Sequence, residues 1–165
     1  MIADDPQELL VVVDLEDRVL GLRTRRECHA DPRLLHRSVY VLVEAHAGAV
    51  FQRRGFAKDS APGAWDLACA GHVGPGESYA EAAARELAEE LGLDVAVPAP
   101  LGRTVLDLPG ETELCTIFRL RHDGPFVVTT PEVAGVAVFP PGELPAPLAP
   151  GAQLVLAWLG EGRMG

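Results

Sequence analysis

Gly71-His72-Val73-Gly74-Pro75-Gly76-Glu77-Ser78-Tyr79-Ala80-Glu81-Ala82-Ala83-Ala84-Arg85-Glu86-Leu87-Ala88-Glu89-Glu90-Leu91-Gly92-Leu93 decides the reading of the whole chain. Its opening is rich in glycine and proline, which favour turns. Its second half is alanine, leucine and glutamate, all good helix formers. Ser78 followed three residues later by Glu81 makes a capping-box pattern, in which side chain and backbone satisfy each other's free N–H groups. Ala80, Ala84, Leu87 and Leu91 recur at helical spacing and are expected to form the buried stripe. Gly92 stands where helices commonly end on a left-handed residue. The spacing predicts one long helix over Glu77 to Leu91.

Counted at about 100° per residue from Glu86, Glu89 falls about 60° to one side and Glu90 about 40° to the other. Three carboxylates therefore share one face. Such like charges repel one another, and near a helix C-terminus they also oppose the helix dipole. A hard divalent cation relieves both penalties. Magnesium favours carboxylate oxygens and keeps open positions for water and phosphate, where it polarises a diphosphate and activates a water. Taken alone, the three glutamates also fit a plain solvated helix face.

Around this stretch the chain alternates strands and turns. Glu8 to Leu15, Arg18 to Arg23, Arg37 to Ala45 and Ala49 to Arg53 read as strands, with His46-Ala47-Gly48 as a hairpin turn. Asp59 to Gly63 reads as a loop, and Trp65 to His72 as a short buried strand. After the helix, strands are expected near Gly102–Leu108, Glu113–Leu120 and Val133–Phe139, where Pro140-Pro141 stops the last. Gln153 to Leu159 reads as a terminal helix. The fold class is α+β: an α/β/α sandwich with a mixed β-sheet flanked by helices.

The sequence has 165 residues, with 48% hydrophobic and 23% charged, which suits a single domain over 1–165. The net charge of −10 repels nucleic-acid backbones and anionic membranes, so neither is expected as a partner. No apolar run is long enough for a membrane span. The start, Met1-Ile2-Ala3-Asp4-Asp5-Pro6, lacks the basic and apolar regions of a signal peptide, and a cytoplasmic location is expected. Cys28, Cys69 and Cys115 are odd in number and widely spaced, as suits small buried hydrophobes.

Within 71–93 the pattern is Gly71-x5-Glu77-x7-Arg85-Glu86-Leu87-x-Glu89-Glu90-x-Gly92-Leu93. It resembles the Nudix box at all nine specified positions of its 23 residues. The resemblance implies the Nudix fold and hydrolysis of a diphosphate linkage in a nucleoside diphosphate, a triphosphate or a related small molecule. It implies that Glu86, Glu89 and Glu90 hold Mg2+ or Mn2+, and that a carboxylate acts as base on the attacking water. By the same match Arg85 holds a neighbouring glutamate, Glu77 supports the motif or joins the metal shell through water, and Gly71 offers its backbone. Homodimers are usual for such domains.

Over roughly residues 8 to 140 the chain is also similar to the isopentenyl-diphosphate isomerase branch of that superfamily. The matching positions are His29 and His36 with six residues between them, His72 after Gly71, and Glu111-Thr112-Glu113. In that family these five hold a second metal, and three imidazoles with two carboxylates suit a transition metal such as Zn2+ or Mn2+. Glu111 and Glu113 point to one face if the segment is a strand. Arg25, Arg54 and Lys58 match the isomerase positions that contact the diphosphate; a solvated basic surface is the other reading. Trp65 fits a loop tryptophan of that family or a core residue. Two departures oppose isomerase activity. The isomerase's catalytic cysteine is replaced by Ala70, with Cys69 facing the other way on a strand. Glu86 stands where the isomerase has arginine. Hydrolysis is the expected chemistry; isomerisation and a non-catalytic nucleotide-binding module are the alternatives. The loops between Gly110 and Pro131 are expected to shape specificity.

Overall fold

β-Branched and apolar runs assemble into one nine-stranded mixed sheet in this computed structural model, which describes residues 4–161. Met1 to Ala3, part of the acidic start considered above, lie outside the described residues. The strands are β1 (Leu9–Val13), β2 (Val19–Thr24), β3 (His36–Ala45), β4 (Gly48–Arg54), β5 (Trp65–Leu67), β6 (Cys69–His72), β7 (Gly102–Leu108), β8 (Glu111–Arg121) and β9 (Val133–Phe139). The helices are α1 (Arg25–Cys28), α2 (Tyr79–Leu91) and α3 (Pro150–Gly160).

β3 organises the sheet. Along one edge it pairs in parallel with β8 from His36 to Glu44. Its other edge is shared: Ser38–Val41 pair with β6, and Val43–Ala45 pair with β4. The sheet is therefore split on that side, with the break at Ala68 between β5 and β6. Alternation along β3 sorts the two cores. Val39, Val41 and Val43 pack with Cys69, Leu87, Leu91 and Phe118 on the α2 side. Tyr40 packs with Phe51, Leu67, Ile117, Val155 and Trp158 on the α3 side. Trp65 joins this second core, edge-on to Phe139 at 5.3 Å between ring centroids. All three cysteines are free and buried. The mixed sheet between helices is the architecture the sequence led us to expect.

Several boundaries differ from expectation. α2 starts at Tyr79, because Ser78 is the N-cap and Glu77 lies outside it; the Ser78–Glu81 box and left-handed Gly92 both form. Trp65 to His72 is two strands rather than one. The four-residue α1 was not expected, although Thr24 and Glu27 carry the same capping-box signal that marks α2. The buried stripe of α2 is also corrected. Ala80 is exposed and Ala84 half-buried, while Ala82, Ala83, Glu86, Leu87, Glu90 and Leu91 are buried. At about 100° per residue that arc spans about 180°, with Glu90 near its middle. The apolar residues alone mislead here, because the helix turns two carboxylates inward.

Candidate active site

What receives those carboxylates is β6. A Cβ on Gly71 would lie 2.2 Å from Glu86 Oε1, so only glycine lets the helix approach. Arg85 ties the motif together. Its Nε and Nη2 donate to the two oxygens of Glu77, at 2.7 and 3.0 Å. Its Nη1 donates to Glu86 at 2.8 Å and to Glu89 at 3.3 Å, and Nη2 also donates to the His72 carbonyl at 3.0 Å. Glu77 accepts a further bond from the Gly74 N–H at 2.7 Å. These bonds, the one from Arg85 foremost, hold the Glu77 carboxyl below its ordinary range. The loop before α2 is thus pinned to the helix it caps.

Glu86 and Glu90 are 8% and 5% exposed, and the difference from half-open Glu89 matters. Burial pushes both carboxyls up in pKa, Glu90 furthest, and the neighbouring Glu86 charge adds to the rise at Glu90. Among the described residues, Gln52 supplies the one side-chain amide bonded to this pair. Its Nε2 donates to Glu90 Oε2 and, at 3.1 Å, to the Ala68 carbonyl at the break in the sheet.

The second candidate set also converges. The rings of His29, His36 and His72 stand 5.3 to 5.6 Å apart between centroids. Glu111 and Glu113 reach them from β8: His29 Nε2 is 2.5 Å from Glu111, and His36 and His72 Nε2 are 3.9 and 3.8 Å from Glu113. These contacts lack hydrogen-bond geometry. His29 Nε2, His36 Nε2 and one oxygen of each glutamate are buried without a hydrogen-bond partner. Buried polar atoms are seldom left so. His36 Nδ1 lies 3.2 Å from the Leu34 carbonyl, to which it donates, so its Nε2 lone pair is turned to the cluster. Burial, with His72 nearby, pulls the His36 pKa down to about 4 and keeps the ring neutral. Orphaned donor atoms, a neutral imidazole and two carboxylates fit a divalent metal; the subset His29, His36 and His72 and the subset His36, Glu111 and Glu113 each bring ligand atoms within 4.8 Å of one another.

A NUDIX domain model matches residues 34–159. The chain belongs to the Nudix family. It is 41% identical over 128 residues to an uncharacterised Nudix hydrolase of Pseudomonas aeruginosa, covering 77% of this chain and 75% of that one. It is 36% identical over 161 residues to an isopentenyl-diphosphate Delta-isomerase of Nocardia farcinica, covering 91% and 89%. A Deinococcus radiodurans protein of known structure shares the fold at a TM-score of 0.66 and 23% identity, covering 93% of this chain and 90% of that one. This Nudix chain is an enzyme of the hydrolase type, with isomerases among its relatives.

Both clusters open into one cavity of about 640 Å³. Ala70 lines it, whereas Cys69 is fully buried in the α2-side core, where burial pushes its thiol well up. The cysteine therefore faces away from the cavity, as strand alternation requires. Arg25, Arg54 and Lys58 line the same cavity, but each already meets a carboxylate. Arg25 bonds Asp59 at 2.9 Å and Asp4 at 3.0 Å; Lys58 bonds Asp4 at 2.6 Å; Arg54 bonds Asp66 at 3.2 Å.

The expected specificity segment is corrected. Of residues 110–131 only Glu111 and Glu113 line the cavity; besides α2, β3, β4 and β6, its wall draws on the N-terminal segment, the β4–β5 loop, Leu108-Pro109 and the start of α3. Residues 111–121 are strand β8, most of whose apolar side chains fill the cores. Sequence reasoning also missed Gln52, Asp66 and Tyr40. A signal existed for two of them. Alternation puts Gln52 on the buried face with Val50, and Asp66 opposite Trp65 and Leu67, so each is a polar side chain on a buried strand face. Burial raises the Asp66 carboxyl, against the pull of Arg54.

Proposed function

We propose that this enzyme hydrolyses a diphosphate linkage in a nucleoside diphosphate, triphosphate or related compound, with Mg2+ or Mn2+ held by Glu86, Glu89 and Glu90. The observation that carries the reading is the pair of inward-turned carboxyls on α2 facing the cavity across Gly71. When bound there, a divalent ion polarises the phosphate and favours deprotonation of water. One glutamate of the set takes the proton of the attacking water; the water oxygen bonds to phosphorus as the bridging P–O bond breaks. Arg85 and Glu77 are positioning residues that keep Glu86 and Glu89 aimed. Arg25, Arg54 and Lys58 bind the anionic substrate by exchanging their carboxylate partners for phosphate oxygens. His29, His36, His72, Glu111 and Glu113 hold a second ion such as Zn2+ or Mn2+.

The isomerase relative supports a second reading, prenyl-diphosphate isomerisation. Against it, Ala70 has no proton to transfer. A panel with magnesium separates them: nucleoside diphosphates, triphosphates, sugar nucleotides, ADP-ribose and isopentenyl diphosphate, each with wild type and Glu90→Gln. Hydrolysis lost in Glu90→Gln is expected. Conversion of isopentenyl diphosphate to its isomer would overturn the hydrolase reading, and tight binding of one member with no turnover of any would leave a binding module.

A further inference from the structure

α3 begins without a cap. Ala149 stands at its N-cap with no side-chain acceptor, and Pro150 follows inside the first turn. Gln153 N–H bonds back to the Ala149 carbonyl, but the N–H groups of Gly151 and Ala152 have no hydrogen-bond partner among the described residues. Both residues are buried. Ala149, Pro150 and Gly151 form part of the cavity wall.

A second observation meets this one. Tyr40, on β3, is 7% exposed, and its ring packs in the α3-side core while its hydroxyl is aimed at the start of α3. A Cβ on Gly151 would fall 1.8 Å from that oxygen, so glycine is what admits it. The hydroxyl has no hydrogen-bond partner among the described residues, and Tyr40 lines the same cavity. Two backbone donors and one hydroxyl donor therefore stand together at the positive end of an 11-residue helix, none of them bonded to an acceptor among the described residues. Such an end is a ready site for an anion. Burial keeps the Tyr40 phenol in its protonated, donating form. The charges of Asp66 and Glu113 both reach Tyr40; Asp66 is paired with Arg54 at 3.2 Å, and Glu113 faces the histidines.

We propose that the first turn of α3 and the Tyr40 hydroxyl form an oxyanion subsite that takes a phosphate or carboxylate group of the substrate. Tyr40 is four residues along β3 from His36, about 13 Å at the rise of a strand. The subsite is thus offset along β3 from His36, within the same cavity, and its occupant is a group separate from any oxyanion held at His36. On the hydrolase reading, the moiety carried by the diphosphate bears a further oxyanion, which narrows the substrate class.

Calorimetric titration with inorganic phosphate and, in parallel, acetate tests the subsite directly, at saturating magnesium. Four proteins are compared: wild type, Tyr40→Phe, Ala149→Asp and Glu90→Gln. The backbone at 149 is extended, as an N-cap requires. Ala149 is itself 3% exposed, so Ala149→Asp places a carboxylate directly on these donors and abolishes probe binding at the subsite by filling them itself. Tyr40→Phe weakens binding roughly tenfold. Glu90→Gln keeps it. The stronger of the two probes identifies the group as phosphoryl or carboxylate. Equal binding in wild type, Tyr40→Phe and Ala149→Asp overturns the proposal, as does no binding of either probe to wild type. Turnover is not the readout, so the two readings fail separately: an enzyme active as Glu90→Gln but blind to phosphate as Ala149→Asp loses the hydrolase assignment and keeps the subsite.

Discussion

The glutamate centre and the histidine centre share one cavity but are built by different routes. Glu86, Glu89 and Glu90 come from a single helix, three and four residues apart, so local geometry alone puts them together. His29, His36, His72, Glu111 and Glu113 come from the end of α1 and from β3, β6 and β8, so only the sheet topology unites them. β6 serves both: Gly71 turns to α2, and the next residue, His72, turns to the other cluster. The two also carry opposite electrostatic burdens. Without an ion the helix holds two buried carboxyls whose charges repel, whereas the other centre holds a buried imidazole kept neutral. The lesson is that side chains gathered on one helix press against one another through charge, whereas those gathered from several strands leave buried polar atoms without partners.

The sharpest way to break this contrast is through turnover. Glu90→Gln removes one of the proposed metal ligands and is expected to cost several kcal/mol in the transition state, roughly a thousandfold in kcat. Its circular dichroism should match wild type. Wild-type kcat in this variant would end the assignment.

Metal content comes next. His36→Ala is expected to weaken zinc or manganese binding at the histidine centre by at least roughly a hundredfold, since even outer-shell partners of such sites matter by 10 to 100-fold. Magnesium affinity at the glutamate centre should stay within a few-fold. Parallel loss of both affinities would show one coupled centre where we describe two.

A smaller effect separates the centres by pH, with chelator present and Tm as readout. The Glu90 carboxyl is raised in the fold above its ordinary 4.5, so the folded state binds more protons, and stability falls as pH rises from about 4.5 through the raised value. His36 is lowered from 6.5 to about 4, so the unfolded state binds more protons, and stability falls as pH drops from 6.5 to about 4. Glu90→Gln should flatten the loss on the alkaline side, and His36→Ala the loss on the acid side. If either variant flattened both, the assignment of the two slopes would be wrong.

Smallest of all is Cys69→Ala. The side chain faces the α2 core, so turnover should be unchanged and stability lower by about 1 kcal/mol. Lost turnover with intact folding would give the thiol a chemical role that its orientation denies.

The same difference in construction explains what was legible in the sequence. The helix, its cap at Ser78 and the glutamate face needed only residues within one window. The long strands were legible from their β-branched runs, as in Arg37 to Ala45. Convergence of the histidines was not derivable from spacing; it entered through family resemblance, and the fold brings the five side chains together. The inward turn of Glu86 and Glu90 was hidden because the apolar stripe of Ala80, Ala84, Leu87 and Leu91 is a fair helical pattern on its own. Only Gly71, from a different element, makes the carboxylate face the buried one. The cavity wall was misread for a similar reason. Residues 114–121 are core strand, and Asp59, Pro109 and Gly151 reach the site from places that no local pattern connects.

Asp4 has a practical bearing on how the protein is handled. It lines the cavity while bonded to Arg25 and Lys58; burial raises its carboxyl, but the bonds from Lys58 and the Asp59 N–H outweigh this and hold it below its ordinary range. A purification tag placed shortly ahead of Asp4 would stand close along the chain to a side chain of the cavity wall. Tag-derived histidines or carboxylates placed there would compete for metal ions and for the cavity's arginines. Affinity handles belong at the other terminus, and kinetic constants from amino-terminally tagged material should be checked against the cleaved protein.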